Sequence, residues 1–171
     1  QLTGLSLNQY VDVNDNQVAD NGDHLSLTGG VLNFYVDTSP DFAVDDFASA
    51  GDGGGANALW LSLAGTSQTA TIANLYPLTG TIFSTLNEGS LGSGTEGGNG
   101  FGNFDVTGGL AAANFDTNEE AAGSDFRFTS SFGPRNCATN NPINCGSDFL
   151  LVGSNELLGN SIPTPGTLLL I

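Results

Sequence analysis

The stretch LSLTGGVLNFYVD (residues 25–37) shows most clearly how this chain folds. On both sides of a glycine pair, apolar side chains occupy every second position: Leu25, Leu27, Leu32, Phe34 and Val36. A period of two places such side chains on one face of a β-strand. We therefore predict strand structure here, with one face turned to a core.

The same pattern recurs along the chain. The segment ALWLSLAG (residues 58–65) alternates again, and later apolar runs surround Ile72, Phe83, Phe104, Phe126 and Phe149. Glycine and asparagine separate these runs at intervals of roughly 8–12 residues, as in β-sandwich domains. The sequence predicts an all-β fold: an antiparallel β-sandwich, jelly-roll or immunoglobulin-like, with long Gly- and Asn-rich loops.

Two segments do not follow the strand pattern. Residues 110–115 have the composition of a single helical turn, and residues 86–102, rich in Gly, Ser and Asn, are expected to form a long loop. We expect one sandwich domain over residues 1–161 and a separate segment over residues 162–171. A division into two subdomains near residue 95 is the alternative.

The charge balance is strongly acidic. The 171 residues include eighteen Asp and Glu but only two Arg and no Lys, giving a formal net charge of −16. This charge would repel nucleic acid phosphates and anionic lipids, so neither is an expected partner. The chain should nevertheless fold, because 39% of its residues are hydrophobic. We expect a bound cation to offset part of the negative charge. The chain has no apolar stretch long enough to span a bilayer as a helix.

Cys137 and Cys145 are the only cysteines, in a segment rich in Asn, Pro and Gly. A disulfide between them would close a small loop and stabilise the fold by about 2.5 kcal/mol in the loop-entropy model. Two free thiols in a reducing compartment are the alternative. The predicted disulfide implies an oxidising compartment, and a first residue of Gln1 rather than Met is expected of a processed, exported chain.

The segment DVNDNQVADNGDH (residues 12–24) has the strongest chemical pattern. Counted from Asp12, oxygen-bearing side chains occupy positions one, three, five, nine and twelve, and position seven offers its main-chain carbonyl. This is the ligand spacing of an EF-hand loop, which binds Ca²⁺ through hard oxygen donors. The predicted ligands are Asp12, Asn14, Asn16, Val18, Asp20 and Asp23. The alternative is a solvated turn rich in Asn and Asp.

The loop departs from the EF-hand pattern at two positions. Gln17 stands where a glycine makes the sharp turn, and Asp23 replaces the bidentate glutamate. The segment more closely resembles the calcium loops of extracellular bacterial β-sandwich repeats, in which acidic residues stand just before a strand. A second, less regular acidic patch is a further candidate for calcium or an ordinary charged surface loop: Asp37, Asp41, Asp45, Asp46 and Asp52.

Catalytic patterns are weak, and we expect no enzymatic activity. His24 is the only histidine and adjoins the calcium loop, where a role at the start of a strand is expected. Without a second histidine or any lysine, nucleophilic and zinc-dependent hydrolysis lose their usual general base. Trp60 and Tyr76 could instead stack on sugar rings, as in a carbohydrate-binding module, or belong to the core or an interface.

The segment SIPTPGTLLLI (residues 161–171) resembles the start of the PEP-CTERM sorting signal of exosortase-sorted bacterial proteins. Thr164 replaces the usual glutamate, and the membrane helix and basic end of that signal are not part of the segment. The stretch FDVTGGLAAANFDTNEEAAGSDFRFTSSF (residues 104–132) is also similar to secreted PEP-CTERM proteins. The resemblance implies export and residence in the envelope, cell surface or biofilm matrix of a Gram-negative bacterium.

Together these observations predict two candidate functions. The first is a calcium-stabilised structural protein of an extracellular matrix that assembles with copies of itself, into filaments by strand exchange. The second is a calcium-dependent module that binds exopolysaccharide. In the first case the expected docking strand is Gly166, Thr167, Leu168, Leu169, Leu170 and Ile171, with residues 1–7 as a second candidate.

Overall fold

The computed structural model describes residues 2–36, 58–72, 76–88, 97–134 and 151–162. Nine strands account for most of these residues, and every pair of neighbouring strands among them is antiparallel. The strands are β1 (Leu2–Val11), β2 (His24–Val36), β3 (Ala58–Gly65), β4 (Gln68–Ile72), β5 (Tyr76–Gly80), β6 (Ile82–Glu88), β7 (Gly97–Gly108), β8 (Phe126–Pro134) and β9 (Leu151–Gly159). The predicted all-β fold is confirmed.

Seven strands form one large sheet, and β4 and β5 form a second, two-stranded sheet. The two sheets make an antiparallel architecture of the sandwich type. In the large sheet the order is β1, β2, β3, β7, β8 and β9, with β6 also pairing with β2 and β7. Strands β1 and β9 are therefore its edges, and neither edge has a second partner strand among the described residues.

Strands β3 and β6 share one row of the large sheet. Leu63 of β3 pairs with Leu32 of β2, and Ile82 of β6 pairs with Leu27 further along the same strand. The hairpin of β4 and β5 interrupts this row and packs against β1 and β2. Thr79 in β5 fixes it there, because its backbone bonds to the side chains of Asn8, Gln9 and Ser26.

The core lies against one face of the large sheet. Its centre is a cluster of buried side chains from β3, β6, β7 and β8: Leu61, Leu63, Ile82, Phe104, Phe126 and Phe128. Leu5 of β1 and Leu157 of β9 pack against the same cluster, although the two strands lie at opposite ends of the sheet order. The sheet is therefore curled, so that both edges approach one core.

Residues 97–102 differ from the expected long loop, because they form the first half of β7 and pair with β6. The strand was not predicted because glycine has a low strand propensity. Close packing of the neighbouring strands nevertheless requires glycine here. A Cβ atom on Gly98 would lie 2.5 Å from the carbonyl oxygen of Thr85. A larger residue than glycine does not fit at this position. Glycine has a low strand propensity, but it lets the backbones of β7 and β6 approach closely.

The expected helical turn is present as α1 (Ala112–Phe115), with a 3₁₀ turn at Ala121–Gly123. The Phe115 ring packs between two aromatic neighbours, with centroid distances of 5.5 Å to Trp60 and 5.9 Å to Phe126. No helix in the described ranges is long and apolar enough to cross a membrane.

Candidate functional site

Residues 12–23, the predicted calcium loop, connect β1 to β2. The last residue of β1, Val11, pairs with the first residue of β2, His24, so the loop closes an antiparallel hairpin. Both ends of the loop are thus fixed by the edge of the large sheet. The local sequence sets its path, because short Asn and Asp side chains bond readily to nearby backbone groups.

The first half of the loop winds around the side chains of Asp12, Asn14 and Asn16. Asp12 accepts hydrogen bonds from the backbone N–H groups of Asn16 (3.3 Å) and Gln17 (2.6 Å). Asn14 Oδ1 also accepts from Asn16 N (3.2 Å), and Asn16 Oδ1 accepts from Val18 N (2.7 Å). The side chains at positions one, three and five therefore gather on the inside of one turn.

Gln17 makes the sharp turn at position six, where an EF-hand loop has glycine. Its φ is 63°, in the left-handed region where the EF-hand loop places glycine, and Asp15 two residues earlier has a φ of 57°. Such angles are uncommon for residues other than glycine, aspartate and asparagine. The bonds to Asp12 and Asn16 hold the loop in this conformation.

Asp20, at position nine, joins the same group. Its carboxylate accepts hydrogen bonds from Asn14 Nδ2 (3.0 Å) and Asn16 Nδ2 (2.7 Å). Four predicted ligands, Asp12, Asn14, Asn16 and Asp20, are thus linked by direct hydrogen bonds on the exposed side of the loop.

Asp23, at position twelve, lies apart from this group and is completely buried. Its carboxylate accepts three hydrogen bonds, from Tyr10 Oη (2.6 Å), Val13 N (2.9 Å) and Asp20 N (2.9 Å). It therefore ties both ends of the loop to the end of β1. The backbone on either side is anchored to β6, since Gly22 N donates to Leu86 O and Leu86 N donates to Asp23 O.

These contacts change the acid–base properties of three groups. Burial opposes ionisation of Asp23, but the bonds from Tyr10, Asp20 and Val13 outweigh it, so its pKa lies below 3.8. Burial and the nearby Asp23 carboxylate raise the pKa of Tyr10 well above 10. Burial also lowers the pKa of His24 below 6.5, although the charge of Asp23 opposes this shift.

The residue types of the loop fit a calcium ion. Two carboxylates, two amide oxygens and the Val18 carbonyl are all hard donors, and Ca²⁺ accepts six to eight such oxygens in flexible geometry. The described residues contain no group of three or more acidic, histidine or cysteine side chains arranged to hold a metal. A cation in this loop would therefore depend on the asparagine and carbonyl oxygens as much as on Asp12 and Asp20.

Asp125 makes a second buried arrangement of the same kind, which no pattern in the sequence predicted. It is 1% exposed and stands just before β8, as Asp23 stands just before β2. Its carboxylate accepts from the backbone N–H groups of Val106 (2.7 Å), Thr117 (2.6 Å) and Asn118 (2.7 Å). An aspartate between a polar loop and an apolar strand is the sequence signal the two share.

The two aromatic candidates lie on different sheets. Trp60 is in β3 at a shift in register against β2, and 37% of it is exposed. Tyr76 begins β5 in the hairpin. Neither residue lies on β1 or β2, the strands that flank the calcium loop.

Several predicted features lie outside the described residues and stay predictions. They are the second acidic patch (Asp37, Asp41, Asp45, Asp46 and Asp52), the Cys137–Cys145 disulfide and the docking segment 166–171. In comparisons with known proteins, no family model matches the chain, and no curated protein or solved structure is significantly similar to it.

Proposed function

We propose that this chain is a non-catalytic structural protein of an extracellular matrix or bacterial cell surface, stabilised by calcium and assembling with copies of itself. The observation that carries the proposal is the chemistry of the two sheet edges. Strands β1 and β9 span ten and nine residues, and Glu156 is the only charged residue in either. Soluble proteins commonly protect such edges with charged residues, proline or irregular pairing.

The β9 edge is the more regular of the two. Its pairing with β8 runs without a shift from Phe126↔Gly159 to Pro134↔Leu151. Strand β1, by contrast, has a shift in register between Leu7 and Gln9 and a positive φ at Gly4. A long, regular and almost uncharged edge in a chain with a net charge of −16 favours pairing with another chain.

Calcium enters this proposal as a support for the β1 edge. The loop joins β1 to β2, and two of its carboxylates bond to the same residue: Asp12 accepts from the backbone N–H of Asn16, and Asp20 accepts from its side-chain amide. A bound cation would reduce the repulsion between these carboxylates and hold the edge hairpin closed. An ion that binds only the folded chain also raises its stability by mass action.

Secretion and a place in the envelope or biofilm matrix of a Gram-negative bacterium rest on the PEP-CTERM resemblance. An acidic surface suits this setting, because it disfavours binding to nucleic acids and anionic lipids. The proposal assigns no reaction, and exopolysaccharide is the expected non-protein component around the assembly.

Self-association can be tested with two leucines of similar chemistry. Leu158 lies on β9 and is 39% exposed, whereas Leu110 lies away from both edges and is 76% exposed. We expect the wild-type chain and Leu110→Glu to form ordered polymers as concentration rises, and Leu158→Glu to remain monomeric, by sedimentation velocity and electron microscopy. A wild-type chain that stays monomeric at every concentration with Ca²⁺ present would refute the proposal.

Binding of exopolysaccharide is a second candidate, favoured by the partial exposure of Trp60 (37%) and of Tyr35 (38%) on the neighbouring strand. Aromatic rings with one exposed side suit sugar stacking. Glycan-array binding that is lost in Trp60→Ala and retained in Leu110→Ala would support this candidate. If no glycan on the array binds the chain, the self-assembling structural protein remains as the proposed function.

A further inference from the structure

The two edges of the large sheet face each other across a gap, which we call the seam. Leu2 of β1 and Leu157 of β9 line one cavity of about 310 Å³, although four rows of the sheet separate their strands. The other lining residues come from β2, β7, β8 and β9: Leu32, Phe34, Phe104, Phe128 and Asn155. The curled sheet therefore leaves an apolar opening between its edges.

The opening continues along the sheet into a second cavity of about 240 Å³, which shares Leu2 and Phe128 with the first. Most of its lining is apolar: Leu5, Leu25, Leu27, Ile82 and Phe132. Its small residues, Ser84, Gly100 and Ser130, leave room for side chains that enter from outside. The seam is thus a groove suited to a row of aliphatic side chains.

The backbone at the seam suits an added strand. Five antiparallel pairings separate β1 from β9, so the two edges run in opposite directions. A strand placed between them would pair in parallel fashion with one edge and in antiparallel fashion with the other. Main-chain bonds would supply affinity and the apolar groove would select alternate side chains, as in β-strand addition.

We propose that residues 166–171 of a second copy fill this seam as the added strand. Four longer segments of the chain lie outside the described ranges, and three of them carry charged residues. Residues 37–57 contain five Asp, residues 89–96 contain Glu96, and residues 135–150 contain Arg135 and Asp148. Only residues 163–171 are uncharged, and their GTLLLI end supplies four large aliphatic side chains. Burying charge in an apolar groove is costly, so this segment fits best.

The proposed self-assembly favours a second copy as the source of this segment. Strand β9, one edge of the seam, ends at Gly159, and Ile162 N donates a 2.7 Å hydrogen bond to Asn114 O in α1. Gly166 lies seven residues after Gly159, so the segment of the same chain is the alternative occupant. The peptide and deletion experiments distinguish the two sources.

Pro163 and Pro165 lack the N–H group needed for ladder bonds, so pairing begins near Gly166. The inference rests on the proposed self-assembly and specifies its contact. Each copy would offer one segment and one seam, a head-to-tail arrangement that extends into filaments when it does not close.

The test uses the full chain, a variant lacking residues 167–171, and a fluorescent peptide of residues 162–171. We expect the full chain to polymerise and the deletion variant to stay monomeric with an unchanged circular dichroism spectrum and melting temperature. The peptide should bind the deletion variant, measured by fluorescence anisotropy, and should block polymerisation of the full chain.

Two substitutions on β8 show whether the peptide enters the seam. Ser130 lines the groove, whereas its neighbour Ser131 lies outside it and is exposed. In the deletion variant, Ser130→Leu should weaken peptide binding at least tenfold, and Ser131→Leu should leave it unchanged. Equal effects of the two substitutions, with melting temperatures also equal, would overturn the seam as the binding site.

Other outcomes separate this inference from the proposed function. Polymers that persist after the deletion would overturn the inference and leave self-assembly standing, with edge-to-edge pairing as its basis. A full chain that stays monomeric while the peptide binds the deletion variant would show that the segment fills its own seam, and both the second-copy contact and the self-assembly would fall.

Discussion

The phenol of Tyr10, at the end of β1, donates a 2.6 Å hydrogen bond to the buried carboxylate of Asp23, just before β2. This bond joins the two strands of the edge hairpin at the end closed by the loop. It therefore connects the stability of the outermost strand to one carboxylate beneath the candidate calcium loop.

Tyr10→Phe should lower the free energy of unfolding by about 1–2 kcal/mol, because Asp23 stays buried with one donor fewer. The pKa of Asp23 should rise, so unfolding by acid should begin at a higher pH. This follows because an aspartate with a pKa below 3.8 contributes stability that is lost as the pH falls through the folded-state value. Urea unfolding at neutral pH and an acid titration would measure both effects.

Tyr35→Phe is the matched control. Tyr35 is exposed to the same extent as Tyr10, 38%, and no bond from its hydroxyl group is seen among the described residues. Its substitution should change stability by less than about 0.5 kcal/mol. Equal effects of the two substitutions would contradict the importance of the Tyr10–Asp23 bond.

His24 should make the fold sensitive to mild acid. Burial holds the pKa of His24 below 6.5, so between the folded value and 6.5 the unfolded chain binds a proton that the folded chain does not. The free energy of unfolding should therefore fall as the pH decreases through this window. Urea unfolding of wild type and His24→Gln between about pH 7 and pH 5 would show a smaller loss in the variant. An identical dependence of the free energy of unfolding on pH in the two proteins would contradict the role of His24.

Calcium should raise the melting temperature, and EDTA should reverse the effect. Asp20→Asn should remove most of the calcium-dependent shift, because Asp20 accepts hydrogen bonds from the side chains of Asn14 and Asn16. Asp15→Asn removes the same charge from a non-ligand position, and asparagine tolerates the φ of 57° found there. The rise in melting temperature with calcium should therefore persist in Asp15→Asn. Melting curves that do not respond to calcium in wild type would exclude the site, and Mg²⁺ should substitute poorly because it requires a tighter octahedral shell.

Asp125→Ala should destabilise the chain by about 3 kcal/mol or more whether or not calcium is present. The substitution leaves the backbone N–H groups of Val106, Thr117 and Asn118 without their acceptor. Glu119→Ala removes a charge from the exposed part of the same loop and should have little effect. Chemical denaturation with and without EDTA would compare them, and a mild effect of Asp125→Ala would contradict its bracing role.

The sequence predicted the fold best where packing imposes a period of two. Leu61 and Leu63 alternate in β3 and are both buried, as expected. The first half of β7 could not be predicted, because Gly98 is there for close backbone contact and conveys no strand propensity. Strand β1 was only partly apparent, since polar residues such as Asn8 and Gln9 dilute its alternation.

The candidate site was predictable in its residues but not in their separate roles. Spacing alone placed Asp12, Asp20 and Asp23 in one set. In the structure, Asp23 is turned inward and satisfied by Tyr10 and the backbone, while Asp12 and Asp20 remain in the outer part of the loop. Which carboxylate becomes buried depends on distant contacts, such as those with Leu86 in β6, and these leave no local pattern.

The shared row of β3 and β6 has a consequence for the order of folding. Gly65 and Ile82 end up beside consecutive parts of β7, but the sixteen intervening residues must first be drawn into a closed loop. The hairpin of β4 and β5 reduces this entropic cost, because its contacts are local and form quickly. Thr66 and Thr81 then bond to β7 and β2 on either side of the break. The hairpin of β4 and β5 can thus form first and hold the ends of β3 and β6 close together. The two short strands β3 and β6 can then join the large sheet as one row.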